Sequence, residues 1–170
     1  MENLWKINFE PMSINTPKEI VETQCEYLGE LTDGKIIAKI SDYEGPISSY
    51  TKLNFLTIFG SSFKDQKVNI QEDLGDIGKS TFTFEFFITS PKTPNYKYRI
   101  MFFQYGIAFF PTVIVLDEAI ANELEGEQDI ICYSQEEFEN NLKNILNSQK
   151  IENVVNALLA IAQSGKPVSS

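Results

Sequence analysis

The chain reads as an α+β domain: a mostly antiparallel sheet of about five to seven strands, with one N-terminal helix and two C-terminal helices on one face in two layers. Three observations predict it. A capped amphipathic stretch opens the chain after residue 15, segments that alternate every second residue fill the middle, and two further capped helical stretches close it. The 170 residues suffice for one domain with a full core. Residues 1–163 are read as that domain and 164–170 as a flexible tail.

Residues 4–15, "LWKINFEPMSIN", alternate loosely and suggest an edge strand and entry loop. Thr16, Pro17 and Glu19 then form a helix start: a cap, a proline suited to the first helical position, and a glutamate at the capping-box position. Ile20, Val21, Cys25, Tyr27, Leu28 and Leu31 supply its apolar side, and Gly34 its terminator. Glu19, Glu22, Glu26 and Glu30 form an acidic stripe on the polar side. Strands are expected at 35–41, 50–59 and 67–71, with a loop over 72–79.

The middle is strongly β in pattern. Phe82, Phe84, Phe86 and Ile88 share one side of a strand, and Thr81, Thr83, Glu85 and Phe87 the other. The chain turns at Pro91 and Pro94. In the return strand Tyr96, Tyr98, Ile100 and Phe102 fall on one face, with Met101, Phe103 and Tyr105 opposite. "IAFF" and "TVIVL" suggest a further strand, bulged or at an edge because Pro111 interrupts it. Asp117 is placed to cap a helix over 118–125 closed by Gly126. The connection 117–128 is long enough for a crossover and leaves room for one parallel pair. "DIICY" is the last strand. Ser134 with Glu137 starts a helix over 135–147, and Ser148 another.

Composition excludes several functions. There is no histidine, so Ser-His-Asp and Cys-His catalysis and histidine-built zinc sites are out. Cys25 and Cys132 each sit in an apolar pattern, which predicts buried thiols, and Cys132 has neither a His nor a basic neighbour to make it a nucleophile. A net charge of −10 opposes general binding to nucleic acid or to anionic membranes. No apolar run approaches the roughly 20 residues needed to span a bilayer, and no signal pattern opens the chain, so a cytoplasmic protein is expected.

Local motifs are weak. "GDIGKST" ends like a phosphate-binding loop, but Asp73 stands where the pattern needs glycine, and a strand pattern follows where a helix should open. "KTPNYKYR" mixes cations with tyrosines, as single-strand binders do, yet alternation sends Lys97 and Arg99 to one face and Tyr96 and Tyr98 to the other. No carboxylate set has calcium-loop spacing. No metal, no cofactor and no enzymatic activity are expected.

The acidic stretch 116–139 carries nine carboxylates and neither Lys nor Arg. Glu118, Glu136 and Glu137 lie in first helical turns, where the macrodipole favours them. Glu123, Glu125, Glu127 and Asp129 crowd a helix end and have no such local reason. These four are the expected docking residues of a non-enzymatic interaction module, of inhibitor, immunity or adaptor type, for a basic protein partner. The alternative is a small-ligand module with an aromatic-lined pocket drawn from Phe82, Phe84, Tyr96, Tyr98 and Phe102. Arg99, Tyr98 and Lys79 are its expected ligand-binding residues, with Arg99 or Lys79 as cationic anchor. A homodimer through the sheet or the C-terminal helix is also predicted, because Phe87, Met101, Phe103 and Tyr105 would face away from the core.

Overall fold

A computed structural model describes residues 1–6, 8–47 and 81–164. The expected strands at 50–59 and 67–71, the loop over 72–79, and the "GDIGKST" motif up to Ser80, with Lys79, lie outside the described residues. So does most of the expected tail.

Helix α1 (Pro17–Leu31) starts as its sequence dictates. Thr16 Oγ1 accepts the Glu19 N–H, and the Glu19 carboxylate accepts the Thr16 N–H at 2.8 Å. It ends in Thr32, Asp33 and Gly34. Gly34 takes φ +74° and donates to the Gly29 carbonyl at 2.8 Å, an exit that glycine adopts without strain.

The strands are β1 (Ile37–Asp42), β2 (Phe82–Ser90), β3 (Thr93–Tyr105), β4 (Thr112–Leu116) and β5 (Asp129–Cys132). They form one sheet in the order β1-β2-β3-β4-β5, with every neighbouring pair antiparallel. The connection 117–128 therefore makes no parallel crossover. It holds the short helix α2 (Glu118–Glu123) and returns the chain to the neighbouring antiparallel position. Helices α3 (Gln135–Leu146) and α4 (Gln149–Gln163) follow. This is the α+β class that the alternating and helical patterns predict. The described residues among 4–15 form no strand.

A bulge in β3 corrects the predicted faces. Phe86 pairs with Met101, but the next residue, Phe87, pairs with Arg99, so Ile100 is extra. One inserted residue turns everything after it to the opposite face. Tyr98 and Ile100 face the core as expected. Beyond the bulge, Met101, Phe103 and Tyr105 take that side and Phe102 leaves it. Phe103 is opposite Phe84 and Ile114, and all three are buried in one cluster. Buried residues of all four described helices, among them Val21, Ile120, Phe138 and Leu158, belong to the same cluster. Phe102, Val113 and Val115 form a separate cluster with Tyr43, Ile47 and Ile131. Met101, Phe103 and Tyr105 thus fill the core, and of the four residues named for a homodimer through the sheet only Phe87 lies on the opposite side.

Pro111 also sits differently from the expectation. Residues 106–111 form the β3–β4 connection, with a cis bond between Phe110 and Pro111, and β4 begins only at Thr112. It is not an edge strand: it lies between β3 and β5, and all five of its residues are buried.

Candidate functional site

The charged residues of β3 assemble around one carboxylate. Beyond the bulge toward the β2–β3 turn, Lys97 and Arg99 share the side of β2 that carries Glu85. The buried Glu85 carboxylate lies 2.7 Å from Lys97 Nζ and 3.9 Å from Arg99 Nη1. Both cations also lie over aromatic faces: Lys97 4.5 Å from the Phe87 ring centroid, Arg99 4.3 Å from that of Phe102. On the other side of the strand the Tyr98 hydroxyl donates to Asp117 Oδ2 at 2.7 Å. Burial and the neighbouring Asp117 carboxylate hold the Tyr98 phenol above its ordinary pKa. Asp117 therefore occupies the N-cap position of α2 without making a side-chain cap, because its carboxylate serves Tyr98.

Glu85, Lys97, Tyr98, Arg99 and Asp117 line a recess of about 340 Å³. Two carboxylates against two cations leave it no net charge, so Arg99 offers an incoming anion little unbalanced attraction. The aromatic pocket of the ligand hypothesis does not assemble either. Phe84 and Phe102 are buried in different clusters on opposite faces, and Phe82 and Tyr96 are exposed.

The four carboxylates expected to dock a partner have three different fates. Glu123 has a local structural use after all. Its Oε2 accepts the Gln149 N–H at 2.7 Å and its Oε1 the Lys150 N–H at 2.9 Å. These are the first amides of α4, which have no partner within the helix. Ser148 caps the same end through the Ile151 N–H, so two side chains from distant positions share one helix start. Asp129 lies in β5 opposite Val115, on the Phe102 side of the sheet. Glu125 and Glu127 remain exposed in the turn after α2, with no ion pair to another described residue. Glu125 adopts φ +54°, and the Gly126 N–H closes the turn on the Ala121 carbonyl.

A second hollow was not anticipated. A cleft of about 630 Å³ runs between α1 and α3. Its floor includes Phe86, Ile88 and Ile100, and Asn15 and Asn140 stand on its rim. Tyr27 and Leu31 also line it and are 52% and 82% exposed, although the sequence placed both in the buried stripe of α1. The signal was the width of that stripe. Val21 and Tyr27 lie about 120° apart around a helix of 3.6 residues per turn, too far for a single contact to cover both.

Burial pushes both thiols up to about 12. The Glu22 carboxylate adds to the effect at Cys25, and an Asn141 hydrogen bond opposes it at Cys132. Neither is poised as a nucleophile. Among the described residues no three His, Cys, Asp or Glu side chains group as metal ligands, and no helix is long and apolar enough to cross a membrane. Comparison of the chain with protein-family models, with curated proteins and with solved structures gave no match.

Proposed function

We propose that this chain is a non-enzymatic interaction module that docks a basic protein surface, as inhibitors, immunity proteins and adaptors do. The observation that carries the reading is Glu125. It is an exposed carboxylate with no ion pair to a described residue, held in the left-handed backbone region at the C-terminal end of a helix. A non-glycine residue there is mildly strained, and a carboxylate at a helix C-terminus opposes the local dipole. Gly126 stands one position away and would accept the left-handed conformation without cost. Two small penalties at a residue whose side chain makes no ion pair or hydrogen bond with a described residue suit a side chain kept for an outside partner. Glu127 extends the same exposed turn. Glu26 and Glu30 on α1 are further exposed carboxylates without an ion pair among the described residues.

A small-ligand site on Arg99 and Tyr98 draws less support, because both side chains already engage carboxylates. The test is retention on the immobilised protein. Basic proteins are expected to be held at low salt and released at high salt, since exposed charges are screened. Joint reversal, Glu125→Lys with Glu127→Lys, is expected to abolish retention. No retained protein at low salt, or equal retention by the reversed variant, would sink the reading.

A further inference from the structure

Strand β5 is an edge of the sheet: β4 lies on one side of it, and no described strand lies on the other. The register shows which of its main-chain groups point outward. The Leu116 N–H donates to the Gln128 carbonyl at 2.8 Å, and in the same register Ile114 is opposite Ile130 and Thr112 opposite Cys132. Hydrogen-bonded and non-bonded pairs alternate along an antiparallel ladder. Ile130 and Cys132 therefore direct their N–H and C=O groups at β4, and Ile131 directs its own away from it. Tyr133, two positions on, has the same outward direction, and its N–H donates to the Glu137 carboxylate at 2.7 Å. Ile131 has no such arrangement: its N–H and C=O make no hydrogen bond to a described residue.

An open sheet edge is a template for another strand, and proteins usually blunt it with lysine, proline or a bulge. The sequence of β5, "DIIC", has neither residue, and its register with β4 is unbroken. Its surroundings select one kind of strand. Glu125 and Glu127 are exposed before it, Glu136 is exposed after it, and residues 116–139 contain no Lys or Arg. The opposite edge, β1, also directs alternate amides outward, but the exposed Lys39 stands in its middle and repels a basic strand. A second copy of this chain fits β5 poorly, because it would set an equally acidic edge against the first.

We propose that the basic partner adds an extended strand to the sheet along β5. This inference rests on the acidic docking described above and names the form in which the partner is recognised. The strand's main chain bonds Ile131, which supplies affinity without regard to sequence. Its Lys or Arg side chains reach Glu125 and Glu127 at one end of β5 and Glu136 at the other. Its alternate side chains lie beside Ile131, which packs against the Phe102 cluster, and Tyr133, which is 66% exposed. The segment recognised therefore alternates basic and apolar residues.

A short synthetic peptide of alternating lysine and valine is the probe. Its twin, N-methylated along the whole backbone, keeps the charge and loses every main-chain donor. At low salt the full chain should bind the first peptide and bind the twin roughly tenfold more weakly, the loss of one or two main-chain hydrogen bonds. Ile131→Pro removes the outward N–H and no bond to β4, a change that edge strands accept. This variant should stay folded by circular dichroism and bind both peptides equally weakly. Glu125→Lys with Glu127→Lys should bind neither. By NMR, the first peptide should slow hydrogen exchange at the Ile131 amide and leave the outward amides of β1, Ala38 and Ile40, unchanged. The peptide pair and the exchange measurement need no variant, so they decide the matter even if proline disturbs the fold. Equal binding of the two peptides by the parent, binding of neither, or exchange slowed in β1 rather than at Ile131 would each overturn strand addition. So would slowed exchange at Ile131 that grows with protein concentration and needs no peptide, which would assign the edge to a second copy. Retention of basic proteins at low salt decides the acidic docking separately: retention lost on charge reversal, with both peptides bound alike, keeps the docking and removes the strand.

Discussion

Glu85 and Glu125 stand at opposite ends of how this chain uses a carboxylate. Glu85 is buried in β2 with two cations beside it and aromatic rings beneath those cations. Glu125 is exposed on a strained turn with no ion pair to a described residue. Around Glu85 each charge is answered within the fold, and the recess is electrically quiet. Around Glu125 the charge is left over. The comparison teaches that an acidic count is a poor guide to a docking face. What matters is the remainder after caps, ion pairs and hydrogen bonds have taken their share. Glu123 makes the point at close range: two positions from Glu125, it belongs with Glu85, because α4 uses both of its oxygens.

The largest effect is expected at Glu85. Glu85→Gln removes the charge that Lys97 and Arg99 share, but both cations are about half exposed and can be rehydrated. The expected loss is therefore about 1–3 kcal/mol, below the usual cost of breaking a fully buried pair. Urea unfolding measures it, and an unchanged midpoint would show that the recess contributes nothing. Glu123→Ala comes next. Loss of a helix-capping acceptor typically costs about 1 kcal/mol, softened here because Ser148 still caps the same end. Combining it with Ser148→Ala should cost more than the sum of the two single changes if the caps substitute for one another.

The thiols give an effect that is absent near neutral pH and appears only in alkali. Both are raised to about 12, so folding holds them protonated where an unfolded thiol, near 9, would ionise. The unfolded chain then binds fewer protons between these values, so stability is fully present below pH 9 and declines as pH rises toward 12. At pH 8 alkylation by iodoacetamide should be slow in the folded protein and fast in denaturant. Equal rates in both would show that neither thiol is held back.

Much of the fold was legible because its signals are local. The Thr16–Glu19 capping box, the Ser134 and Ser148 caps, the Gly34 exit and the alternation through β2 each span a few residues, and each forms as its spacing dictates. What was not legible depends on distant partners. Nothing around Glu123 announces that it caps a helix starting 26 residues later. Nothing in "YKYRIMFFQ" announces that Ile100 bulges, because both readings of the strand put large apolar residues on each face. Asp117 looked like a helix cap from its neighbours alone, and the hydroxyl of Tyr98 claims it across the sheet. For the candidate docking carboxylates, only their local surroundings were readable. Exposure of Glu125 and Glu127 follows from composition and turn chemistry, whereas the internal use of Glu123 follows only from tertiary structure.

One paired measurement tests the division between used and leftover charge most directly: thermal unfolding and low-salt partner retention, run side by side on Glu123→Ala and on Glu125→Lys with Glu127→Lys. The account predicts a crossover. The first variant should lose stability and keep its partner. The second should unfold within about 0.5 kcal/mol of the parent, as exposed substitutions usually do, and lose its partner. Loss of retention by Glu123→Ala with full retention by the reversed pair would contradict it.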